Sequence, residues 1–111
     1  MDLADILKAL ADPNRLRILR LLEDQTLCVC DLEDVLGLNQ SNLSRHLAKL
    51  KQAGLVAGRK AGLFMYYSRK SLPPPYGPVV ETLYSAMEKS PEWDKDRQKL
   101  QTRKGCSPLN P

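Results

Sequence analysis

Apolar residues fall along the N-terminal half in a helical rhythm broken at regular places. Leu3, Ile6, Leu7 and Leu10 occur at i, i+3, i+4 and i+7 and make one stripe on a first helix. Asp12 followed by Pro13 reads as an N-cap and first-turn signal for a second helix through Leu16, Ile18, Leu19, Leu21 and Leu22. A short third helix is expected from about Cys28 to Gly37, turning Leu32, Val35 and Leu36 inward. Asn39 to Ser41 offer the next N-cap, for a fourth helix that ends at Gly54. Two helices joined by a short glycine-containing turn form a helix-turn-helix.

Beyond Gly54 the period changes. LVAGRK, Ala61-Gly62 and LFMYYS predict two strands around a tight turn, a β-hairpin. The run Leu72-Pro73-Pro74-Pro75 blocks regular structure, and Pro78 is expected to open a helix whose Val79, Val80, Leu83, Tyr84 and Met87 make another stripe. Ser90-Pro91 caps a last, very polar segment, a frayed helix at most, that runs into a Gly/Ser/Pro tail. The expected architecture is mainly α: a winged helix-turn-helix of about five helices and a hairpin wing over residues 1–90, followed by a polar, flexible tail over 91–111. The outer helices carry wider apolar stripes than so small a domain uses, which predicts a homodimer through the first and last helices.

At 111 residues the chain suits one domain and leaves little room for a cleft between two. No apolar run approaches the roughly 20 residues of a membrane span, and the N-terminus carries acids where a signal peptide carries bases, so a cytoplasmic protein is expected. A cofactor loop, paired cleft carboxylates and a His–Cys constellation are missing from the sequence, which argues against an enzyme.

Charge adds a functional direction. The net charge is +4, but residues 1–34 hold four bases and eight acids, whereas residues 35–80 hold seven bases and no acid. A basic middle segment suits a polyanion, since each Lys or Arg that neutralises a phosphate releases counterions. A solvated basic face is the plainer reading, and the local architecture favours DNA. On the fourth helix, Leu43, Leu47 and Leu50 form the inward seam, and Ser41, Ser44, Arg45, Ala48 and Lys49 face out. Arg45 suits guanine, and Gln40 or Asn42 suits adenine, in the major groove of DNA. Arg59 and Lys60 on the wing would position the backbone. His46, at the edge of the seam, reads as a structural histidine.

Three cysteines, Cys28, Cys30 and Cys106, remain. Residues i and i+2 of a regular helix point about 200° apart, which separates two thiols. At a helix start the geometry relaxes: with Cys28 as N-cap, Cys30 is N2 and Asp31 is N3, and both sulfurs sit at the positive helix end, which favours thiolate and hence soft ions. Small cysteines filling a pocket are the alternative for an isolated C-x-C. Beside a basic helix-turn-helix, an ion that draws both sulfurs together gives a route from ion binding to DNA release.

The segments LKALADPNRLRILRLL, LCVCDLEDVLGLNQSNLSRHLAKLKQAGLVAGRKAG and MYYS resemble the ArsR/SmtB family of metal- and metalloid-responsive repressors, and LCVCDL resembles its arsenical-sensing branch. The resemblance implies a homodimeric winged-helix repressor that binds a palindromic operator and is released from it when As(III) or Sb(III) binds Cys28 and Cys30. Where the fullest family motif has a third cysteine, this chain has Glu33. Cys106, an exogenous thiol, or the carbon of a trivalent organoarsenical are the alternatives for the third position. The zinc site of the family's other branch needs histidines that Glu81 and Glu88 lack as companions, and Leu63 at the wing tip stands where a base is common. Oxidation of the thiols is the second way to release DNA.

Overall fold

The computed structural model describes residues 2–87 and 90–102. Its elements, in chain order, are α1 (Leu3–Leu10), α2 (Pro13–Leu21), β1 (Leu27–Cys28), α3 (Val29–Leu36), α4 (Gln40–Gln52), β2 (Val56–Ala61), β3 (Phe64–Arg69), α5 (Tyr76–Ser85) and α6 (Pro91–Thr102). The helix-turn-helix and wing are as the pattern predicts, and no described helix is long and apolar enough to cross a membrane.

Local signals account for most boundaries. The Asp12 carboxylate accepts from the backbone N–H of Asn14 and Arg15, with Pro13 in the first turn, where a missing N–H costs nothing. Gly37 closes α3 in the left-handed conformation at φ 68°, and the Asn39 side chain caps α4 by accepting from Asn42. Ile18, Leu19 and Leu21 of α2, Leu32 of α3, and Leu43, Leu47 and Leu50 of α4 meet in one core with Leu55 and Val56. That shared core sets α3 and α4 relative to each other.

The structure departs from expectation in four places. The hairpin turn is Gly62-Leu63 rather than Ala61-Gly62, because Ala61 pairs with Phe64; Gly62 alone has positive φ, which makes the turn type II′. A third strand, β1, lies against the wing, giving a sheet of order β1-β3-β2 with Leu27 opposite Tyr67 and Cys28 opposite Tyr66. Helix α5 starts at Tyr76, two residues before Pro78, since Pro78 falls within the first turn, whose N–H groups have no intrahelical partner. Finally, residues 91–102 of the expected tail form α6, capped by the Ser90 hydroxyl accepting from Trp93 and docked on α2 and α3. A polar helix docks there through charge: Arg17 donates twice to Asp96, at 2.9 and 2.8 Å, and the Arg20 guanidinium lies 4.7 Å from the Trp93 ring.

Candidate nucleic-acid interface and thiol site

Helix α4 divides along its length. Leu43, Leu47 and Leu50 are buried, whereas Gln40, Ser41, Ser44, Arg45, Ala48 and Lys49 are exposed on the outer side and Asn42 is half-buried. The Arg45 guanidinium donates to the Asn42 carboxamide at 3.2 Å, so these two candidate reading side chains are held together. Arg59 and Lys60 are exposed on β2, and Leu63 at the wing tip is 96% exposed.

The inner edge of α4 is anchored by a polar cluster that the sequence pattern signals only as a buried histidine. Arg15 donates from Nε to the Ala9 carbonyl and from Nη2 to the Lys8 carbonyl, satisfying the end of α1. Its Nη1 lies 3.2 Å from His46 Nδ1, and Asp12 Oδ1 lies 4.0 Å from the same nitrogen. With a guanidinium facing it, Nδ1 acts as acceptor and the imidazole is neutral. Burial pushes the His46 pKa below its ordinary value; Asp12 opposes this, and Arg15, Arg45 and Lys49 reinforce it. Burial also acts to raise the Asp12 carboxyl, but the N–H donors of Arg15 and Asn14 outweigh it and hold that carboxyl low.

At the start of α3 the residues fall in the expected order, with Cys28 as N-cap, Cys30 at N2 and Asp31 at N3. The Cys28 sulfur accepts from the Cys30 N–H at 3.3 Å, and the Asp31 carboxylate accepts from the Cys28 N–H at 3.2 Å, a capping box built on a thiol. The two sulfurs are 2.6 Å apart. Ligand atoms of Cys28, Cys30 and Asp31 all lie within 4.8 Å of one another, so a buried carboxylate adjoins the two sulfurs. Sequence spacing placed Asp31 as a capping acid; its place beside both sulfurs follows from the cap's reciprocal geometry. Cys106 lies outside the described residues. A groove of about 520 Å³ runs from the thiols between α4 and the wing.

Residues 12–57 match the family described as bacterial regulatory protein, arsR family. The chain is 36% identical over 89 residues to the arsenic resistance transcriptional regulator ArsR1 of Pseudomonas putida, covering 79% of this chain and 68% of that protein. Among solved structures, HlyU from Vibrio cholerae N16961 superposes with a TM-score of 0.65 at 38% identity, covering 75% of this chain and 88% of that one. A homodimeric winged helix-turn-helix DNA-binding domain from Mycobacterium bovis superposes with a TM-score of 0.61 at 33% identity, covering 77% and 73%.

Proposed function

The chain belongs to the arsR family of bacterial regulatory proteins, and we propose that it is a homodimeric repressor released from a palindromic operator when As(III) or Sb(III) joins Cys28 to Cys30. Family and fold are those of DNA-binding transcriptional regulators, not of enzymes. In this reading Gln40, Ser41, Asn42, Ser44 and Arg45 address base edges, and Lys49, Arg59 and Lys60 address phosphates. Leu3 and Leu7 on α1, and Val79 and Leu83 on α5, are exposed apolar side chains that a second copy would cover. A two-fold dimer presents two α4 helices, which is what a palindromic site requires.

The observation that carries the reading is the thiol pair at the first turn of α3, the helix that packs against α4. An ion bonded to both sulfurs moves them from their contact at the helix start to the spacing that its own bonds require. That movement pulls on the Cys28 cap and the Asp31 bond, and helix caps of this kind contribute about 1 kcal/mol. Because Cys28 also pairs with Tyr66, the wing is attached to the same turn. An ion at the thiols thus strains both halves of the DNA-reading surface. Asp31 is a hard oxygen donor already bonded to the Cys28 N–H, so the two sulfurs are the soft donors at this turn. With Glu33 in place of a third cysteine, Cys106 remains the proposed third sulfur.

The test uses a DNA fragment selected by the protein from a random-sequence library, challenged in parallel with arsenite, antimonite, cadmium, zinc and peroxide. Arsenite and antimonite are expected to release it from the native protein. A Cys28→Ser, Cys30→Ser variant is expected to bind the fragment as tightly and to keep it. Release of that variant by arsenite overturns the thiol assignment, and a native protein that answers only cadmium or only peroxide overturns the choice of metalloid.

A further inference from the structure

Helix α4 has a second flank besides the one that meets the wing. Gln40, Ser44 and Ala48 line the groove shared with Met65 and Tyr67. Ser41, Arg45, Lys49 and Gln52 make the next row round the helix. The last two of these line a recess of about 410 Å³, together with Asp5, Lys8 and Arg15. The Asp5 carboxylate accepts from the Asp2 N–H at the start of α1, and Arg15 is engaged with the Ala9 and Lys8 carbonyls and with His46. These Arg15 bonds fix the last turn of α1 against α4. Lys8 and Lys49 are both exposed, and neither has an ion pair among the described residues. Like charges lining one recess repel, and an anion between them removes the repulsion. Burial lowers the His46 pKa, and Arg15, Arg45 and Lys49 lower it further against Asp12, a sign of positive potential on this flank.

An α-helix with its side chains is about 10–12 Å across and the major groove about 12 Å wide, so a helix lying in the groove has a phosphate backbone along each flank. On one flank the wing carries Lys60. We propose that Lys8, with Lys49, holds a backbone phosphate on the other flank, so that α1 is a third DNA-contacting element beside α4 and the wing. The inference rests on α4 entering the major groove, as in the function proposed for the chain. Lys8 lies about 100° round α1 from Leu7, so a second copy that covers Leu3 and Leu7 leaves its ammonium open. In a two-fold dimer packed through α1, this flank faces the centre of the DNA site and the wings face its outer ends. Lys8 then reads no base; it sets register, and Gln52 offers an amide donor to the same phosphate.

The experiment uses the full chain and the DNA fragment that the native protein selects from a random-sequence library. Fluorescence anisotropy at four salt concentrations gives the slope of log affinity against log salt. Phosphates of the fragment are then replaced one at a time by neutral methylphosphonate. Lys8→Gln is expected to flatten the slope by about 0.9 per protomer, about 1.8 for a dimer, with base preference and thermal midpoint unchanged. Lys8→Arg is expected to keep the native slope. Methylphosphonates that weaken the native protein on the inner side of each half-site are expected to lose their effect on Lys8→Gln and on Lys49→Gln, and to keep it on Lys60→Gln. Parallel slopes for the native protein and Lys8→Gln, or silencing of the same phosphates by Lys8→Gln and Lys60→Gln, overturns the second flank and leaves the role of α4 in place. If Lys8→Gln keeps the native slope but no longer lets inorganic phosphate release the DNA at fixed ionic strength, the recess takes a free anion and the DNA assignment is overturned. If the native protein selects no fragment, the DNA-binding reading falls and this inference with it.

Discussion

Replacing Lys60 by glutamine tests the wing as a clamp on the DNA backbone. Successive residues of a strand point to opposite faces, and directly paired residues share one. Lys60 pairs with Met65 and Gly58 with Tyr67, so Lys60 lies on the sheet face of Met65 and Tyr67, beside the groove and α4. Arg59 pairs with Tyr66, which is buried on the other face. Lys60 is therefore the wing cation on the side of the reading helix. Removing one phosphate-neutralising charge from each protomer lowers the slope of log affinity against log salt by about 0.9, hence about 1.8 for a dimer. From about 50 to 200 mM salt, that difference narrows the gap between native and variant affinity roughly twelvefold. Fluorescence anisotropy at four salt concentrations measures both slopes. Lys60→Gln is expected to flatten the slope by this amount and Arg59→Gln by less than half of it. Parallel lines for the native protein and Lys60→Gln, or a larger effect from Arg59→Gln, would refute the assignment of the two faces.

Three further outcomes are expected. His46 is held neutral by burial, so below pH ~6.5 the unfolded chain takes up the proton first and stability falls as pH drops. Denaturation midpoints between pH 7 and 5 should fall more for the native protein than for His46→Gln, and equal falls would count against the neutral-histidine cluster. Asp96→Asn removes the charge from a partly buried two-bond pair, between the ~1 kcal/mol of exposed pairs and the 3–5 kcal/mol of buried ones, so a loss of about 2 kcal/mol is expected in urea. Amide exchange in α6 should quicken with it; an unchanged α6 would mean that the ion pair does not dock the helix. Leu63→Lys, at an almost fully exposed wing tip, should leave stability within about 0.5 kcal/mol and steepen the salt slope by about 0.9 per wing. A slope that stays put would place the tip away from the backbone.

The boundaries legible along the chain are those written in neighbouring residues. Asp12-Pro13, Cys28 with Asp31, Gly37, Asn39 and Ser90 each satisfy backbone groups within four positions, so their capping roles are visible without knowing what lies across the fold. The seam of Leu43, Leu47 and Leu50 is legible for the same reason, because helical period alone separates inner from outer faces. The exposed polar side of α4 and the cysteine pair at the start of α3 could therefore be named from spacing.

What stayed hidden depended on partners far along the chain. Two residues cannot display a strand period, and β1 exists because β3 offers it a free edge about 40 residues later. Helix α6 has few apolar residues; it is docked by Arg17 and Arg20, some 75 positions upstream, through an ion pair and a ring contact that no local pattern encodes. The same holds for Arg15 against His46, and for the groove, whose two walls come from α4 and the wing. By itself the sequence determined helices α1 to α4, the caps at Asp12, Cys28, Gly37 and Asn39, and the presence of a cysteine pair before a basic helix. Only the tertiary structure decided that the pair is tied to the wing and opens on a groove shared with the exposed side of α4, because those relations are set by packing between distant segments.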